Sequence, residues 1–229
     1  MINKLDWDST FYGLEIAEYF IDTQSLLDIQ YKYDLIYVLC ETGKEIILKG
    51  YSESYKENKI IYFKKLFNLN ELDKKEVISF SKTNFSRDEL YNLAFESGKY
   101  SRFKKDKKFS NQQFENLYIK WIDNSLDFNF ADDILIYVEE NKIVGFISYK
   151  IKNEEATIGL VAVLPNHQGK GIGKYLLQVV ENELIKNDIK ALNIPTQKEN
   201  KEACSFYEKL EYKIKESITI KHFWRNDTI

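Results

Sequence analysis

Between Ile158 and Leu184 the chain reads IGLVAVLPNHQGKGIGKYLLQVVENEL, and this stretch constrains the fold more than any other. The apolar run from Ile158 to Leu164 has the length of a buried strand and is far too short to span a membrane. Pro165 has no N–H for a ladder and restricts the residue before it, so the strand stops there. Glycines follow at positions 169, 171 and 173. Ile172, Leu176, Val180 and Leu184 then recur every fourth residue as the stripe of an amphipathic helix. The order is strand, glycine loop, helix.

A helix start presents unpartnered backbone N–H groups and a partial positive charge, which suits a phosphate. Glycines let the backbone approach an anion and adopt positive φ, and Lys170 and Lys174 add charge at the rim. The same glycines could instead serve only a tight turn. The loop lacks the Gly-Lys-Ser/Thr ending of a nucleoside-triphosphate loop, and its glycine order is not the dinucleotide fingerprint.

At these residues the chain resembles the GNAT superfamily of acetyl-CoA-dependent N-acetyltransferases. Their signature is a hydrophobic strand, Gln/Arg-x-x-Gly-x-Gly/Ala and a helix, filled here by Gln168, Gly171 and Gly173. A second family segment follows from Asn200 through Ala203, Phe206 and Tyr207 to Leu210. It departs once: the glycine usual before the last aromatic is Glu211, which puts the left-handed helix cap in question. The resemblance implies a mixed α/β sheet flanked by helices, with acetyl-CoA as co-substrate and no metal. It implies that Gly169, Lys170, Gly171, Ile172, Gly173 and Lys174 take the coenzyme pyrophosphate. Val161 and Val163 would pair main-chain groups with the pantetheine arm, and a backbone amide near Val161 would face the thioester oxygen. Asn200 would bond the coenzyme arm, although it is equally natural as a helix N-cap. Tyr207 would serve the departing sulfur; the alternative is a core aromatic beside Phe206. A phenol near 10 and a thiol near 8.5 make full proton donation uphill by roughly 2 kcal/mol, so hydrogen bonding carries most of that role. The residues identify no general base; His167 and His222 read as structural or exposed.

The 229 residues allow one large domain or two small ones. Residues 1–98 read as an N-terminal α/β region and 99–229 as the transferase domain. Strands are expected at Asp34–Leu39, Lys59–Lys64 and Val77–Phe80, with strand or short helix at Lys44–Lys49. Ser86 and Glu89 form a capping-box pattern that opens a helix ending near Gly98. Further expectations are a helix from Asn111 to Leu126, strands at Asp133–Glu139, Ile143–Ile151, Thr157–Val163 and Lys190–Pro195, a helix at Asn200–Leu210, and one or two strands in Tyr212–Trp224.

A net charge of −3 without a basic block argues against a nucleic-acid partner. The start, MINKLDWDST, has no apolar leader and no long apolar run follows, so no membrane is expected and the cytoplasm is the default location. Cys40 and Cys204 have no histidine at metal-ligand spacing, so no zinc site is expected.

The remaining segments narrow the acceptor by resemblance. LDWDSTFYG, DLIYVL, IIYFKK, and SRFxxDxxF followed by Trp121 and Asn124 are similar to the branch of the superfamily that acetylates dTDP-linked 4-amino-4,6-dideoxyhexoses, the dTDP-fucosamine acetyltransferases. That likeness implies an amino-sugar nucleotide as small-molecule partner, used in surface polysaccharide synthesis, with Arg102, Phe103 and Asp106 at the acceptor site. Arg102 would hold a phosphate or carboxylate; alternatively the segment is a capped turn that packs the N-terminal region on the core. Another small amine, a protein N-terminus, or a binding module without turnover stay open, as does a homodimer.

Overall fold

The computed structural model describes residues 2–21, 32–72 and 77–226. The first half contributes β1 (Ile2–Lys4), α1 (Asp6–Tyr12), β2 (Ile16–Ile21), β3 (Leu35–Cys40), β4 (Tyr51–Lys65), β5 (Val77–Ser79) and α2 (Arg87–Ser97). Then come α3 (Arg102–Lys105), α4 (Asn111–Leu126), β6 (Asp133–Glu139), β7 (Lys142–Lys152) and β8 (Glu155–Val163). The chain closes with α5 (Ile172–Lys186), β9 (Ala191–Gln197), α6 (Lys201–Lys209) and β10 (Lys213–Arg225).

Among the described residues ten strands form one sheet, in the order β1-β2-β3-β10-β4-β9-β8-β7-β6-β5. The pairs β2/β3 and β8/β9 are parallel and the other pairs antiparallel, so this is the mixed, helix-flanked sheet expected. Strand β4, from before residue 98, lies between β10 and β9, from after it. The sheet therefore runs without a break across that position.

Alternation along β6 shows where the core sits. Ile134, Ile136 and Val138 face one apolar cluster with Leu90 and Leu93 of α2 and Leu117 and Ile122 of α4. Leu135 and Tyr137 face the other, with Leu176, Val180 and Leu184 of α5. Helices α2 and α4 thus cover one face, and α5 with α6 the other. A smaller cluster joins Ala17, Ile36, Val38 and Phe223 at the β2–β3 end.

Several local expectations need correction. Strand β4 is 15 residues long, because β10 and β9 pair along it in turn. The segment at 44–49 forms no helix or strand, whereas the final stretch supplies one strand, Lys213–Arg225, within the one or two expected. Ser86 does cap α2, accepting from the Asp88 N–H at 3.3 Å, but the Glu89 carboxylate turns away to the Ile143 N–H. The reciprocal capping box is at α4, between Ser110 and Gln113.

Candidate active site

Strands β8 and β9 pair only from Glu155–Thr157 to Ala191–Asn193 and then part. Two features of the sequence cause the separation. Against β7, strand β8 carries one extra residue between Ile158 and Val161, a β-bulge that bends it away. Ser148 Oγ accepts the Leu160 N–H there at 2.9 Å, and a Cβ on Gly159 would stand 2.9 Å from that oxygen. At the two ends of β9, the carbonyl of Lys190 just before it and the amide of Lys198 just after it both bond to the β4 side, so odd-numbered residues of the strand face β8. Pro195 is one of these, and it has no N–H to offer.

The gap opens into a cleft of about 920 Å³. Its lining includes Val161, Val163, Gly169, Gly171, Ile172, Gly173, Lys174, Asn200 and Tyr207, and also Arg102 and Phe103. The structure thus brings these eleven together; it leaves Lys170 on the exposed outer side of the loop and puts Asp106 elsewhere.

Main-chain groups supply the first part of the site. The Leu164 N–H donates to the Val144 carbonyl, so alternation turns the main-chain groups of Val161 and Val163 toward the open edge. The Gln168 side chain takes the Val163 carbonyl at 2.9 Å and ties the loop to the strand. Gly169 and Gly171 are left-handed, at φ 76° and 83°, and a Cβ on either would meet nothing within 4 Å. Gly171 is the N-cap of α5, whose free amides and dipole face this end of the cleft. Gly173 has a packing role as well, since its Cβ position lies 3.4 Å from Phe206 of α6. This free strand edge, the glycine cradle and the cleft between them fit an elongated diphosphate coenzyme.

Asn200 caps α6 by accepting the Ala203 N–H at 3.2 Å, which leaves its Nδ2 group for the cleft. Tyr207 is 5% exposed and packs on Phe206, Tyr62 and Tyr212, while its hydroxyl makes no hydrogen bond among the described residues. Burial pushes its phenol well above the usual range. Proton loss is then harder still, and the hydroxyl is suited to donating a hydrogen bond to a developing thiolate. At Glu211 the left-handed cap survives without glycine: φ is 67°, and the Tyr212 N–H reaches the Tyr207 carbonyl at 3.1 Å.

The opposite wall comes from α1, α3, α4 and β4. The Arg102 guanidinium lies 4.2 Å over the Tyr37 ring. Among the described residues it has no ion-pair or hydrogen-bond partner. Phe103 is buried against Phe109 and Trp121. Asp106 lies in the interior and does not line the cleft. Its Oδ2 takes His222 Nδ1 at 2.7 Å, Ser54 Oγ at 2.9 Å and Trp224 Nε1 at 3.1 Å, and its Oδ1 takes the Lys108 N–H at 3.0 Å. These contacts use its accepting capacity, so it fixes the turn after α3. Burial pushes the Asp106 carboxyl up, but the donors more than offset this and bring it down to about 2. Burial pushes His222 down to about 4, so the neutral ring donates from Nδ1. His167 sits at the cleft mouth, 3.5 Å from the Glu139 carboxylate. Sequence reasoning missed Trp7, Asp8, Glu57 and Lys59 on this wall.

The profile of the Acetyltransferase (GNAT) family matches residues 88–212, more than half of the chain. The chain belongs to the GNAT acetyltransferase family. GNAT proteins take their acetyl group from acetyl-CoA, which fits the strand edge and glycine cradle above. The chain is 24% identical over 132 residues to the spore coat polysaccharide biosynthesis protein SpsD of Bacillus subtilis (strain 168), covering 58% of this chain and 45% of that protein. It is 33% identical over 75 residues to the ribosomal protein bS18-alanine N-acetyltransferase of Haemophilus influenzae, covering 33% and 51%. The chain therefore spans about half the length of these two relatives. In fold it is similar to a GCN5-related N-acetyltransferase from Sphaerobacter thermophilus, with TM-score 0.54 and 12% identity over 85% of this chain and 61% of that one. No helix among the described residues is long and apolar enough to cross a membrane.

Proposed function

We propose that this chain is an acetyl-CoA-dependent N-acetyltransferase acting on the amino group of a nucleotide-linked amino-dideoxy sugar, of the dTDP-4-amino-4,6-dideoxyhexose type, for surface polysaccharide synthesis. The coenzyme enters from the α5–α6 side, with Gly169 to Lys174 on its pyrophosphate and Val161 and Val163 along its arm. The acceptor enters from the α3–α4 side, and the two meet where β8 and β9 part. Tyr207 bonds the leaving sulfur.

The observation that carries the acceptor class is Arg102. A guanidinium backed by an aromatic ring and free of a carboxylate partner is a ready site for a diphosphate. Trp7, 38% exposed on the same wall, offers a face for a base. The likeness to a polysaccharide biosynthesis protein supports the same choice. Calorimetric titration of dTDP and of thymidine into the CoA-loaded protein tests it. The expected result is binding of dTDP and none of thymidine; equal heats from both, or none from either, would contradict it.

A further inference from the structure

The acceptor arrives as an ammonium at neutral pH and cannot attack a thioester until it loses a proton. Several titratable groups line the cleft. Lys59, Lys99, Arg102 and Lys174 are basic side chains, with burial pushing Lys59 below its usual range, and burial keeps Tyr207 protonated. His167 is at the mouth, held by Asn166 and near Glu139. Glu96 is paired with Lys99, and Glu202 is exposed. Asp8 is only partly buried on α1. Glu57 differs from all of these: it is a carboxylate only 4% exposed, and its buried Oε2 has no hydrogen-bond partner.

Its place in the sheet aims it at the reaction. Glu57 pairs across strands with Ile220 of β10, a cleft residue in the α2–α4 cluster, so it stands on the acceptor face. The β4/β9 pairing ends at Lys59 and Gln197, so Glu57 lies just past the point where β9 leaves the sheet. There it lines the cleft into which the gap between β8 and β9 opens. We propose that Glu57 is the group that accepts the proton lost by the acceptor ammonium. This rests on the reading of the cleft as a site of acetyl transfer to an amine.

The step balances. The ammonium N–H bond breaks and its proton passes to the Glu57 carboxylate, leaving a lone pair on nitrogen. That pair forms the C–N bond at the thioester carbon. The C–S bond breaks with its electron pair going to sulfur, and the second nitrogen proton ends on the coenzyme thiol. Glu57 then releases its proton to water. The surroundings are graded for this task. Arg102 from α3 and Lys59 from β4 favour the carboxylate, while Glu199 beside α6 opposes it; Tyr55 on β4 and Tyr118 on α4 stand near as neutral phenols. Burial outweighs the cations and raises the carboxyl above its ordinary range, toward the pH at which a base works best.

Glu57→Gln keeps the shape and removes a buried negative charge, so the variant should fold with an unchanged or higher Tm. Its kcat/KM for an amino-sugar nucleotide at pH 7 should fall about 10²-fold or more, with acetyl-CoA affinity unchanged. Activity should return as the pH passes the amine's own pKa, and Glu57→Asp should keep the wild-type pH limb at lower rate. In parallel, the carboxyl of ¹³C-glutamate-labelled, acetyl-CoA-loaded protein, assigned by its loss in Glu57→Gln, should titrate above free glutamate. The proposal is overturned if Glu57→Gln keeps the wild-type rate and acid limb, if it raises only KM at every pH, or if the carboxyl titrates in the ordinary range. A wild-type protein that acetylates none of the amines offered refutes the functional reading itself, and with it the role of Glu57. Amines acetylated at full rate by Glu57→Gln refute Glu57 alone.

Discussion

The Arg102 guanidinium rests 4.2 Å above the Tyr37 ring, and the same Tyr37 ring lies 4.8 Å from His222 on the sheet beneath it. The cation is therefore oriented by an aromatic contact that leaves its N–H fork free. Arg102→Ala should raise KM for the sugar nucleotide and leave acetyl-CoA binding intact. A charge-assisted contact of roughly 1.5–3 kcal/mol corresponds to a loss of about 10- to 150-fold in kcat/KM. Lysine should recover only part of this, since it lacks the bidentate fork. A drop in Tm with unchanged KM would return Arg102 to the role of a packing residue.

Below that stack, the Asp106–His222 pair makes stability depend on acid. The Asp106 carboxyl is about 2 in the fold and about 3.9 in an unfolded chain. A depressed value means its stabilisation is complete above about 4 and is lost as pH falls toward 2. His222 is depressed as well, to about 4 from about 6.5, so its share is complete above about 6.5 and is lost as pH falls toward 4. Asp106→Asn should lower stability at pH 7 by about 2–3 kcal/mol and flatten the acid limb below pH 4. Urea midpoints between pH 3 and 7 measure both; an unchanged slope would contradict the assignment.

Much of this cleft was readable because its glycine-loop side is local in sequence. Positions 168 to 174 and 200 to 207 are two short segments, each with its own spacing, and helix and strand periods placed them correctly. The wall built by α1, α3, α4 and β4 was harder to read because tertiary cover creates it. YSESYKENK alternates polar residues and looks like a solvated strand, yet β10, β9 and the α3–α4 cover bury Glu57 within it. Asp106 and His222 are 116 residues apart, so nothing local announces that one uses up the acceptors of the other. At Ser86 and Glu89 the pattern fits a capping box, but Glu89 finds the Ile143 N–H instead. Glu211 shows the converse, a left-handed cap kept by its hydrogen bonds although the residue is not glycine.

The pyrophosphate cradle is tested at Gly171. With φ at 83°, a side chain there is strained by about 1–2 kcal/mol, and a carboxylate would also stand against the phosphates. Gly171→Asp should weaken acetyl-CoA at least 10-fold in calorimetry while the protein stays folded. Unchanged affinity in a folded variant would remove the loop from the coenzyme site.

Tyr207 is the test of the leaving-group contact. Tyr207→Phe should keep acetyl-CoA affinity and lower kcat by roughly 10²-fold. Because burial holds the phenol protonated, no alkaline loss of rate should arise from Tyr207 in the wild-type protein below pH 10. Full activity in the phenylalanine variant would make Tyr207 a core aromatic.

The most direct measurement is turnover itself: thiol release from acetyl-CoA against a dTDP-4-amino-4,6-dideoxyhexose, the corresponding free amino sugar, and a peptide with a free N-terminus. The account predicts release with the nucleotide sugar, a product heavier by one acetyl group, and far lower rates with the other two. Equal or faster release with the peptide or the free sugar, or no release with the nucleotide sugar, would contradict it.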